Sequence, residues 1–173
     1  MRQGSAGLRR HGPGPARATR RHTARMNTPD TSSALLTALR ALVVKEGVML
    51  GGLTEPQRAL ALGFVWAGLP RSTLRERGVN EALKAQLADA ARFIDTDHVE
   101  LRRWLCDTGW LARDGYGREY HRVAVSALPP ALADIGTALE AAFDGGTAAW
   151  AAQQRHERAA EREARRRAFE ARA

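Results

Sequence analysis

The sequence predicts a mainly α-helical protein with one small β-hairpin: a winged helix-turn-helix-like core followed by C-terminal helices. Three observations carry this. Apolar residues recur at three- and four-residue spacing in successive segments, which is the period of a helix with one buried face. Glycine and proline fall between those segments, where chain reversals are needed. One short stretch, Trp110 to Val125, breaks the helical period around Asp114-Gly115-Tyr116-Gly117 and reads as two strands joined by a tight connection.

The first helix is expected from near Thr31, where Asp30, Thr31 and Ser32 are good N-cap types, with Leu35, Leu36, Leu39, Leu42 and Val43 on one face and Gly47 as its C-cap. Gly51-Gly52 marks a turn. Thr54 caps the second helix and Pro56 fits its first turn. Leu60, Leu62, Phe64, Val65 and Trp66 make this segment apolar nearly all round, as a central buried helix must be; Gly68 and Pro70 end it. The third helix spans LRERGVNEALKAQLADA, with Val79, Ala82, Leu83, Leu87 and Ala90 facing inward. Gly78 within it either weakens the first turn or marks a start just beyond it. In the fourth, Asp97 followed by Glu100 fits a capping box with Asp in the Ser/Thr place, and Gly109 stops the helix. Trp110–Arg113 and Arg118–Val125 are the strands. After Pro129-Pro130 a short helix presents Leu132, Ile135, Leu139 and Phe143, and Gly145-Gly146 is a hinge. The Ala/Arg/Glu-rich remainder is expected to be a solvated, frayed helix without a sustained coiled-coil repeat. The organisation is then a disordered basic leader over 1–29, a helical winged-helix domain over 30–128, a short helix over 129–145 and a helical tail over 146–173.

The formal charge of +8 and a pI near 11 invite a nucleic-acid reading, but the charge lies at the ends. Residues 1–25 hold seven arginines and no acid, and residues 155–173 hold seven arginines against four glutamates, so residues 26–154 are left at −2. A fold with that middle has no strong global field to steer DNA. Arginine outnumbers lysine 25 to 2, the bias of a GC-rich bacterial genome, and Met26 opens a more convincing start, which makes residues 1–25 an over-extended leader. A single cysteine, Cys106, fits a reducing, cytoplasmic setting. The longest apolar run, Ala59 to Pro70, is 12 residues, short of the roughly 20 that span a bilayer. The leader has no apolar core of a signal peptide.

Chemistry-bearing residues concentrate in Asp95–Val123. Leu101, Trp104 and Leu105 fix the inward face of the fourth helix, with Leu111 and Tyr120 anchoring the hairpin. At about 100° per residue the opposite face carries Val99, Arg103 and Cys106, with Arg102 and Asp107 on its flanks. Arg103 is the candidate for a base edge, because its planar fork matches guanine. Arg102 suits a phosphate, as do Arg113, Arg118 and Arg122 on the hairpin, with His121 beside them. The bland alternative is a solvated face whose arginines pair with Glu100, Asp107 or Glu119, and with Asp107 and Arg113 bridged. His98, His121, Asp97 and Cys106 lack ligand spacing, so no metal is expected, and no cofactor either. Cys106 near an arginine is either a lowered-pKa redox sensor or a packed thiol. No triad-like context surrounds Ser72, Ser126 or the histidines, so no enzyme is expected.

These residues also carry a likeness. LRRWLCDTGWLARDGYGREYHRV resembles the signature of a bacterial family, domain of unknown function 2087. The resemblance rests on Asp97, Leu101, Arg102 and Arg103; on Asp107, Gly109, Leu111 and Arg113; and on Gly117, Tyr120 and Arg122. Upstream, Glu76, Val79, Asn80 and Leu83 are similar to the family's Glu-x-x-Val-Asn-x-x-Leu segment. Gly78 replaces an acidic residue there, and His121 replaces an aromatic. The likeness covers about residues 48–123. It implies DNA-linked regulation, since the family occurs alone and fused to transcriptional regulators. The expected function is therefore a DNA-binding transcriptional regulator acting on double-stranded DNA. The rival expectation is a protein-interaction module that buries the Leu132–Phe143 face against a partner or a second copy.

Overall fold

Six α-helices and a three-stranded sheet lie within residues 29–144 and 146–172, the part of the chain that the computed structural model describes; residues 1–28, Gly145 and Ala173 lie outside it, and with them all of the expected leader but Pro29. Helix α1 (Pro29–Val43) buries Leu39, Leu42 and Val43, the inner half of its expected stripe. It ends at Val43, four residues before Gly47, whose φ of +65° instead turns the loop. That loop is held by a single parallel bridge, Val48 to Ile94, in which Val48 N–H donates to Phe93 O at 2.8 Å and Asp95 N–H to Val48 O at 2.9 Å. Phe93 and Ile94 are thereby fixed in the core, where periodicity alone assigned them no element.

Helix α2 (Glu55–Ala67) is the central helix. Thr54 precedes it and donates its N–H to Gln57 Oε1 at 3.2 Å, and every residue from Leu60 to Ala67 is buried. Trp66 is buried with its indole N–H satisfied by Val123 O at 2.9 Å, which keeps a polar group from being stranded. Full burial of each large apolar side chain contributes about 1.5–3 kcal/mol, so this one helix holds much of the hydrophobic driving force. One core cluster takes residues from Leu39 to Ala151.

Strand β1 (Leu74–Arg75) was expected as the first turn of the third helix, which instead begins at Glu76 as α3 (Glu76–Ala88). Two residues are too few to show alternation, and Leu74 falls in phase with the helical stripe that follows. Helix α4 (His98–Asp107) leads to β2 (Leu111–Arg113) and β3 (Glu119–Arg122). The sheet is antiparallel in the order β1-β3-β2, with Leu74 opposite Tyr120, Arg113 opposite Tyr120 and Leu111 opposite Arg122. The expected hairpin is therefore present, shorter at both ends, with an added edge strand. Its turn is closed by Gly117 at φ +69°, and Gly109 at φ +85° ends the approach from α4.

Helix α5 (Pro130–Ala142) crosses α2 closely. The contact is made possible by Gly63: a Cβ there would stand 2.7 Å from Leu139 Cδ1 and 2.9 Å from the Trp110 ring. Leu132, Leu139 and Phe143 face this crossing and are buried. The face expected to await a partner is covered by the chain's own α2.

Helix α6 (Ala148–Glu170) also departs from expectation. Its first half docks: Ala151 and Gln154 are buried, and Trp150 lies against Phe64 and Phe143 at 5.8 and 5.2 Å between ring centroids. Arg40 of α1 reaches across to Glu161 at 2.9 Å and Glu157 at 3.4 Å. Its far half remains solvated, with Phe169 75% exposed.

The first turn of α3 can be improved. A Cβ on Gly78 would meet only Leu74, at 3.6 Å, an ordinary contact, and its backbone is not left-handed. Gly78→Ala removes chain entropy from the unfolded state without native strain and is expected to stabilise by about 0.5–1 kcal/mol. Thermal denaturation should show a Tm roughly 1–4 °C higher; a lower Tm would mean that α3 needs the glycine.

Candidate functional site

Helix α4 is held at its start by Asp97. Its Oδ1 accepts from Val99 N at 2.7 Å and Glu100 N at 2.8 Å, and these two N–H donors hold the carboxyl below its ordinary range. Glu100 does not close the box. Its carboxylate accepts instead from Thr96 Oγ1 at 2.9 Å and from Trp104 Nε1 at 3.3 Å. Leu101 and Leu105 are fully buried, whereas Trp104 is only partly buried, with the Arg58 guanidinium 5.1 Å over its ring. The helix is anchored by two leucines, and Trp110, fully enclosed, takes the deep aromatic position. Leu111 and Tyr120 are buried as hairpin anchors.

The arginines divide into two groups. Arg102 and Arg122 are used by the fold. Arg102 Nη1 donates to Glu76 Oε1 at 2.9 Å and Asn80 Oδ1 at 2.6 Å, with its guanidinium 5.2 Å over the Tyr120 ring; it ties α4 to α3 and β3 and is 14% exposed. Arg122 is 6% exposed, donates to Glu140 Oε1 at 2.6 Å and stacks 3.8 Å over Trp66. Burial pulls its pKa down and Glu140 opposes that. A phosphate could take either guanidinium only by displacing these partners.

Arg103, Arg113 and Arg118 are exposed, and none has a carboxylate within 4 Å among the described residues. The expected Asp107–Arg113 bridge is not formed. Arg103 and Arg113 face one cleft of about 350 Å³ between α4 and the sheet, lined also by Arg102, Cys106, Asp107 and Tyr120. The register explains this: Arg113 lies opposite Tyr120, so both side chains leave the same face of the sheet. His121 alternates with Tyr120 and leaves the other face, so it does not join the cleft. Val99 is half-buried near the start of α4.

Arg118 sits at the hairpin tip, its guanidinium 4.7 Å over the exposed Tyr116 ring. The turn beneath it is rigid because Asp114 Oδ1 accepts from Arg118 N at 2.7 Å and Glu119 N at 3.1 Å, which lowers that carboxyl's pKa. Burial pushes the Cys106 thiol up, against the pull of Arg113, which is the opposite of a sensor thiolate.

Sequence reasoning passed over Arg75 and Arg77. Both are exposed and line a second cleft of about 540 Å³ with Glu76, Asp114, Arg118 and Glu119. The density of arginine between residues 71 and 77 was the available signal, hidden by reading the segment as ordinary helix surface. Among the described residues no three His, Cys, Asp or Glu side chains stand together as a metal site, and no helix is long and apolar enough to cross a membrane.

Residues 54–122 match the model of a family described as "Uncharacterized protein conserved in bacteria (DUF2087)". The match covers α2 through β3, the elements that build both clefts. Neither a curated protein nor a solved structure matches the chain.

Proposed function

We propose, for a chain whose residues 54–122 belong to the bacterial family DUF2087, a cytoplasmic DNA-binding role in transcription control, without catalysis. The reading rests on one observation: Arg103 and Arg113, exposed and free of carboxylate partners among the described residues, share the cleft between α4 and β2. The element order α2-β1-α3-α4-β2-β3, with the sheet ordered β1-β3-β2, is that of a winged helix-turn-helix and supports it. In this reading α4 enters the major groove, Arg103 donates both N–H groups to guanine O6 and N7, and Arg113 and Arg118 hold phosphates. Arg102 and Arg122 act indirectly, by fixing α4 and β3 in place.

The rival, a protein-interaction module working through Leu132–Phe143, loses its surface because that face packs on α2. Selection from a random-sequence duplex pool, followed by binding titrations, tests the DNA reading. Arg103→Ala should cost about 1–3 kcal/mol of discrimination at one base pair, roughly 5- to 150-fold, with an unchanged Tm. The two phosphates held by Arg113 and Arg118 should alone make log affinity fall against log salt with a slope of about −1.8. A flat salt response in the parent chain removes the proposal.

A further inference from the structure

We infer that Arg75, Arg77 and Arg118 form a second seat for the DNA sugar–phosphate backbone, beside the α4–β2 cleft; this deepens the DNA-binding reading and rests on it. The three arginines line one open cleft of about 540 Å³ where β1 and the first turn of α3 meet the hairpin tip. Three carboxylates share it, and two are already engaged. Glu76 Oε1 takes Arg102 at 2.9 Å, and Asp114 Oδ1 takes the backbone N–H groups of Arg118 and Glu119. Glu119 lies opposite Arg75 in the β1–β3 ladder, yet no ion pair forms between them within 4 Å. The guanidinium N–H groups of all three arginines therefore reach solvent without a protein acceptor among the described residues.

Elsewhere in the fold pairing is common: Arg40, Arg71, Arg102, Arg122, Arg155 and Arg158 all hold carboxylates. On this face Arg75, Arg77, Arg103, Arg113 and Arg118 do not, and they line two adjoining clefts whose common ridge is the Arg102–Glu76 pair. Six arginines against four carboxylates line the two clefts together, a small surplus that suits spaced phosphates better than a uniformly anionic surface. The positions also fit the task. Arg75 and Arg77 stand on elements beside α4, not on it, where they can set register without reading a base. Each planar fork can grip a phosphate with two parallel hydrogen bonds, and Arg118 is pre-oriented by its stacking on Tyr116.

The test compares the full chain with its Arg75→Gln/Arg77→Gln variant, using a labelled mixed-sequence DNA duplex of about 30 base pairs, roughly three helical turns. Loss of two phosphate contacts should make the slope of log affinity against log salt shallower by about 1.8, roughly a 60-fold loss of affinity near 0.1 M salt. The Tm should not move, since neither side chain holds a partner among the described residues. Arg92→Gln, an exposed arginine beyond the far end of α3, reports the effect of overall charge and should change the slope little. A parent chain with no salt-sensitive duplex binding sinks this inference and the proposed function together. A parent that binds, with a double variant of equal slope or an equal loss per charge in Arg92→Gln, sinks the second seat alone.

Discussion

Leu139→Asp should leave the chain unfolded at room temperature, a loss of more than about 4 kcal/mol. Truncation of a buried leucine alone costs about 2–5 kcal/mol, and a carboxylate adds the penalty of a charge without a partner. Leu139 is fully enclosed and its Cδ1 fills the space that Gly63 leaves open on α2, so there is no route by which the new carboxylate could reach water. Circular dichroism and a one-dimensional proton spectrum would show the collapse of helix content and of dispersed methyl signals. A folded variant with parental Tm and a changed oligomeric state would instead mean that α5 turns this face outward to a second copy.

Arg122→Ala should destabilise by about 3 kcal/mol, because it strands one member of a largely buried ion pair and removes a cation from the face of Trp66. The figure sits at the low end for such pairs because Glu140 is one-third exposed and keeps Arg71 at 3.3 Å. The expected fall in Tm is roughly 6–12 °C. Arg118→Ala on the same hairpin should fall within about 0.5 kcal/mol of the parent, as exposed positions without partners do. The contrast separates arginines that build the fold from arginines free to meet a ligand. An Arg122→Ala variant that melts like the parent but binds DNA less well would reverse the assignment of that residue.

The helices were legible in the sequence wherever an apolar stripe and a stop signal coincided. The segment Leu60–Trp66 between Thr54 and Gly68, and Leu101 and Leu105 between Asp97 and Gly109, are the clearest cases. Strand β1 was not, because two residues cannot display a period and its pairing with β3 is decided by residues some forty positions on. The docking of α6 was hidden for a related reason. A single tryptophan and a few glutamates in an Arg-rich helix look like a solvated tail until Arg40 and Phe64 are brought alongside.

At the candidate site, helical periodicity correctly turned Arg103 outward. It could not foresee that Arg102 would be taken by Glu76, 26 residues earlier, or Arg122 by Glu140, 18 residues later. The carboxylates near in sequence, Glu100, Asp107 and Glu119, engage neither. Side-chain direction follows from local geometry, whereas partner choice depends on which elements the tertiary fold brings together.

The clasp between α1 and α6 joins residues 121 positions apart, with Arg40 at one end and Glu161 at the other. A nascent chain leaving the ribosome can form its inner helices and the little sheet early, since those contacts close short loops. Helix α1 can lay its apolar side on α2, the next helix in the chain, at once, whereas its ion pairs to α6 must close a far longer loop and form late. The apolar packing of α1 can therefore precede the clasp, and the late ion pairs tether a helix that is already seated.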